Sequence, residues 1–61
     1  MSTKPMARFY TVDQVADLLE VSTRTVRRWI ADGDLTVHRF GRQVRISETD
    51  LRVFVAEGRT P

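Results

Sequence analysis

Apolar side chains at Val12, Val15, Ala16 and Leu19 follow the i, i+3, i+4, i+7 spacing of a helix with one buried face, over about residues 11–20. Thr11 suits its N-cap, because Gln14 stands three residues on and can answer it in a capping box. A second helix is predicted from Ser22, a natural N-cap, with Val26, Trp29 and Ile30 inward. Its end falls near Gly33, the residue best able to take a left-handed conformation. Only Val21-Ser22 separates the two helices, and so short a connection makes them cross sharply.

The period then changes from helical to alternating. Leu35 and Val37 alternate with Thr36 and His38, and Val44 and Ile46 alternate with Gln43 and Arg45, which predicts two strands. Gly41-Arg42 between them suits a two-residue type II′ turn, with glycine first. That turn sets Val37 opposite Ile46 and His38 opposite Arg45, so that apolar meets apolar and polar meets polar. Ser47-Glu48-Thr49-Asp50 reads as a helix start, with a hydroxyl at the cap and acids in the first turn. Leu51, Phe54 and Val55 form the buried stripe of this third helix. Arg8-Phe9-Tyr10 reads as a brief strand that either closes the base of the hairpin or offers its edge to another molecule.

Helix, tight turn, helix, β-hairpin, helix is the order of a winged helix-turn-helix, a small α+β fold. Residues 1–7 read as a disordered leader, 8–57 as the domain and 58–61 as a disordered tail. At 61 residues the chain has room for one core, burying only about 60% of the unfolded surface, and little room for an enclosed active site. It holds no cysteine, which removes disulfides, thiol nucleophiles and thiolate-bound metal, and His38 has no second histidine to share a metal with. Nothing in it calls for a cofactor. Asp13, Asp17 and Glu20 are spaced as a solvated helix face, and no catalytic triad or phosphate loop is present, so the expectation is a non-enzyme. No apolar run reaches the ~20 residues of a membrane span and the N-terminus lacks the hydrophobic stretch of a signal peptide, so the chain is expected to stay in the bacterial cytoplasm where it is made.

Charge names the partner. The net charge is only +2, yet residues 21–47 carry six arginines (24, 27, 28, 39, 42, 45) against Asp32 and Asp34, a balance of +4, and the remainder balances at −2. Nine of the ten basic residues are arginine, whose planar fork fits phosphates and guanine edges better than the point charge of lysine. Such a chain turns a basic side to a polyanion, and the second helix has the build that double-stranded DNA requires, apolar on one side and arginine-bearing on the other. With Val26 and Ile30 inward, Thr23, Arg24 and Arg28 are placed to reach base edges in the major groove, beside Thr25 in the first turn. Arg27 and Ser22 are placed on phosphate. Arg42 at the turn is placed to enter a narrow minor groove. Gln43, Arg45 and Arg39 reach phosphate, unless Arg39 lays its stem over Phe40. His38 reads as a surface strand residue. Trp29 offers a base-stacking surface, but its spacing from Val26 and Ile30 assigns it to the core.

Tyr10-Thr11-Val12-Asp13-Gln14-Val15-Ala16, the run Val21 to Ile30, Gly33-Asp34-Leu35 and Arg42-Gln43-Val44-Arg45-Ile46 together resemble the excisionase-like and MerR-like DNA-binding domains, over roughly Phe9 to Val55. Thr25-Val26-Arg27-Arg28-Trp29-Ile30 is similar to phage excisionases in particular. The resemblance implies that the second helix enters the major groove and the wing lies on the adjacent minor groove or backbone. It also implies a recombination directionality factor: an architectural protein that binds attachment-site DNA in several copies, bends it and helps a tyrosine integrase to excise. The coiled coil and effector pocket of MerR-type regulators do not follow in these residues, which sets the expectation against a ligand sensor. Two alternatives stay open: a small MerR-like transcriptional regulator using the same contacts, and a protein-interaction module docking on integrase through the acidic side.

Overall fold

Three hydroxyl caps start the three helices. In the computed structural model, which describes residues 8–58, α1 (Val12–Leu19) opens on a reciprocal capping box: Gln14 N donates to Thr11 Oγ1 at 3.0 Å, and Thr11 N donates to Gln14 Oε1 at 2.9 Å. The helix α2 (Thr23–Ala31) starts at Ser22, whose Oγ accepts from Thr25 N at 3.1 Å. The helix α3 (Glu48–Ala56) starts at Ser47, whose Oγ accepts from Asp50 N at 3.0 Å. Each cap satisfies an amide that the helix itself leaves without a partner.

The link between α1 and α2 is one residue longer than the sequence suggests. Glu20 leaves the helix in the left-handed conformation, at φ 56° and ψ 45°, and Val21 N donates back to Ala16 O at 2.9 Å. This is a Schellman closure, in which the left-handed residue is usually glycine. The end of α2 repeats the device with the expected residue: Gly33 stands at φ 82°, and Asp34 N donates to Trp29 O at 2.9 Å.

Three strands, β1 (Phe9–Tyr10), β2 (His38–Phe40) and β3 (Gln43–Ser47), form an antiparallel sheet in the order β1-β3-β2. The register of the wing is the one read from the turn, with His38 opposite Arg45 and Phe40 opposite Gln43. Gly41 takes φ 64° and Arg42 does not take a positive φ, as a type II′ turn requires. Tyr10 pairs with Ile46 and Phe9 with Ser47, so β1 occupies the inner edge of β3. Glu48 N, donating to Arg8 O at 2.9 Å, fastens the start of α3 to that same strand.

Three apolar positions differ from expectation. Val37, read in the first wing strand opposite Ile46, precedes that strand, and Ile46 pairs with Tyr10 of β1. Leu35 lies outside the first wing strand, which begins only at His38, because Leu35 N is drawn to Trp29 O at 3.2 Å in closing α2; its side chain is buried all the same. Val55 is only partly covered: it remains 49% exposed, on a flank of α3 that lines a shallow apolar groove with Leu51, Tyr10 and Leu19 at the end of α1. The core is Val15, Ala16, Val26, Trp29, Leu35, Ile46, Leu51 and Phe54, so every helix, β3 and the loop after α2 supply it. Trp29 and Phe54 pack with ring centroids 4.8 Å apart, and the indole of Trp29 is core, as its spacing predicts. Its Nε1 is buried with no hydrogen-bond partner among the described residues. The leader read at 1–7, and residues 59–61 of the tail, lie outside the described residues. Gly58 N donates to Val55 O at 3.0 Å.

Candidate nucleic-acid interface

Burial on one side of α2 decides what the other side offers. Val26 and Trp29 are buried, Thr25 and Ile30 half-buried, while Thr23, Arg24, Arg27 and Arg28 are exposed. At 3.6 residues per turn, Arg24 and Arg28 are one turn apart on the ridge farthest from Val26, and Thr23 and Arg27 share the adjoining flank. The flank carrying Arg27 faces the wing. There a cleft of about 340 Å³ is lined by Arg27 from α2, by Arg42, Gln43, Val44 and Arg45 from the wing, and by Thr11, Val12 and Asp13 from the start of α1.

Four of the residues assigned to DNA from sequence therefore converge on one concave, polar surface. Arg45 is half-buried there, and its Nη1 donates to the carbonyl of Val44 at 2.9 Å. That bond holds the guanidinium against the strand and occupies a carbonyl of β3. Arg39 sits opposite Val44 on β2 and reaches a neighbouring cleft of about 280 Å³ shared with Arg27, Ile30 and Ala31. It does not cover Phe40, which is on the other face of the sheet because successive strand residues point to opposite sides. Phe40 is 52% exposed and meets Phe9 edge to face at 5.5 Å.

Ser22 and Thr25 are partly committed to each other, with their hydroxyls 3.0 Å apart, in addition to the Ser22 cap. Arg24, Arg28 and Thr23 stand outside the cleft, on the open ridge and first turn of α2. Sequence reasoning missed the contribution of α1. Periodicity assigns Thr11, Val12 and Asp13 to a helix start, but only the position of β3 beside that start turns them toward the wing arginines. Among the described residues no group of histidines and carboxylates is arranged to hold a metal ion, and no helix is long and apolar enough to cross a membrane.

A family model described as a helix-turn-helix domain matches residues 9–59. The chain belongs to that family. The helix-turn-helix domain is 44% identical over 46 residues to the protein named excisionase of Mycobacterium phage D29, covering 74% of this chain and 82% of the relative. It is also 47% identical over 45 residues to uncharacterized protein YvgK of Bacillus subtilis strain 168; that match takes in 74% of this chain and only 15% of the relative's length. The fold is the three helices and three-stranded antiparallel sheet of a winged helix-turn-helix, and the domain is an excisionase-like DNA-binding protein.

Proposed function

We propose that this helix-turn-helix domain is an architectural excision factor, which binds attachment-site DNA in several copies, bends it and directs a tyrosine integrase toward excision without chemistry of its own. The observation that carries the reading is the convergence of Arg27 from α2 with Arg42, Gln43 and Arg45 from the wing on one cleft, beside the open ridge of Arg24 and Arg28. With α2 in the major groove, Thr23, Arg24 and Arg28 meet base edges and the cleft straddles the backbone between major and minor grooves. Arg42 at the turn enters the minor groove. Arg39 reaches phosphate beside Arg27. When Thr25 donates to Ser22 Oγ, the Ser22 hydroxyl keeps its own hydrogen for a phosphate. The likeness to a phage protein named excisionase over 82% of that protein's length supports excision as the process. A domain with one short helix and one wing reads few base pairs, so several copies side by side supply the affinity that one lacks.

The test is a gel shift on circularly permuted fragments of the DNA flanking the gene, titrated with protein at physiological salt. A ladder of complexes whose mobility depends on site position is the expected result. A single unbent complex would replace this reading with a promoter-bound regulator of the same fold. Absence of any shift would move the protein to an interaction module docking on integrase.

A further inference from the structure

The cleft between α2 and the wing holds three guanidinium groups and one carboxylate, that of Asp13 in the first turn of α1. An acid in the first turn stabilises the positive end of a helix, and that alone would account for its presence in the sequence. Its placement does more. Asp17 and Glu20, exposed on the same helix and its end, line no part of this cleft, whereas Asp13 stands with Arg27, Arg42 and Arg45. Among the described residues no ion pair within 4.0 Å joins Asp13 to any of them, so its charge is not consumed by a fixed salt bridge.

Resting on the DNA-binding reading above, we propose that Asp13 is a specificity-determining residue, which opposes phosphate in the cleft and so weakens binding to DNA of arbitrary sequence. Non-specific association is driven almost wholly by phosphate contacts and slides over many registers, so a fixed negative charge at the mouth of the phosphate cleft weighs on all of them. At a matched site, base-edge contacts from α2 fix the register, with phosphate held against Arg27, Arg42 and Arg45 and away from Asp13. The repulsion thus falls mainly on the wrong complexes, an unfavourable contact that raises discrimination at little cost to the right one.

The variants Asp13→Asn and Asp17→Asn each remove one negative charge from α1, but only the first removes it from the cleft. Binding of both, and of the wild-type protein, is measured by fluorescence anisotropy on a random-sequence duplex and on a duplex selected from that pool, with circular dichroism to confirm the fold. Expected for Asp13→Asn is affinity for the random duplex higher by about three- to tenfold, affinity for the selected duplex changed by less than about twofold, and Asp17→Asn close to wild type on both. Equal gains from the two variants, no gain from Asp13→Asn, or an equal gain on both duplexes would each overturn the proposal. Failure of the wild-type protein to bind either duplex would instead overturn the DNA reading itself, and is visible before any variant is compared. A helix-stabilising role alone does not predict tighter binding when the acid is removed.

Discussion

His38 Nε2 lies 3.1 Å from Asp50 Oδ2, so the first wing strand is fastened to the first turn of α3. The same carboxylate oxygen accepts from Ser47 Oγ at 2.8 Å. Phe9 packs edge-on against both His38 and Phe40 at 5.5 Å. All three residues of β2 are exposed, so beyond the ladder to β3 these contacts are what aim the hairpin tip and its Arg42.

Replacing His38 tests that fastening. The pair is solvated, the His38 side chain being 47% exposed, and should contribute no more than about 1 kcal/mol to stability. His38→Leu should therefore stay folded, yet lose hydroxyl-radical protection of DNA where the wing lies while keeping it where α2 lies. His38→Gln, whose amide can still donate to Asp50, should restore the wing protection. A loss spread evenly over both segments would show that His38 does not steer the wing.

The arginines divide by position, and the division predicts two kinds of loss. Arg27→Ala, taken from the phosphate cleft, should weaken binding to all sequences alike and lower the salt slope by about one unit. Arg24→Ala and Arg28→Ala, on the open ridge, should relax base preference and cost about 1–3 kcal/mol at the preferred site. Anisotropy titrations across a salt series separate the two. A uniform loss from all three would remove Arg24 and Arg28 from the base-reading role.

Trp29 carries the core and an orphan donor at once. Trp29→Ala should cost about 3–5 kcal/mol. That is most of the stability of a domain this small, which at typical values per residue holds roughly 3–9 kcal/mol. Trp29→Phe keeps much of the contact with Phe54 while removing Nε1, a buried N–H whose lost hydration costs about 1–3 kcal/mol. Urea melts should place the Phe variant within about 1.5 kcal/mol of wild type. A loss approaching that of Ala would show that Nε1 is satisfied.

What was legible in the sequence is what local chemistry fixes. Thr11 with Gln14, Ser22 and Ser47 announce helix starts because the cap and its amide lie within three residues of each other. Gly41 sets the turn, and the turn sets His38 opposite Arg45. The wing arginines could be named from their alternation, but not their meeting with Arg27 and Asp13, which depends on where α1 and α2 come to rest against β3. Leu35 and Val55 misled for a related reason. Their period is right, but the end of α2 claims the amide of Leu35, and among the described residues Tyr10 and Leu19 leave the groove beside Val55 open.

Glu20 is the residue whose conformation the sequence conceals most, since glutamate gives no sign of a left-handed backbone. At φ 56° its Cβ crowds the following carbonyl, a strain of roughly 1–2 kcal/mol that glycine escapes. Glycine also loses more chain entropy on folding, which leaves a net gain of about 0.5–1 kcal/mol for Glu20→Gly. In a domain of this size, that gain is a rise in Tm of about 2–8 °C. Glu20→Ala, which keeps the Cβ, should show no such rise, and DNA affinity should hold in both because Glu20 lines neither arginine cleft. Thermal melts of the two variants decide the matter. A fall in Tm for the glycine variant would mean that the glutamate side chain stabilises the turn by more than its backbone strains it.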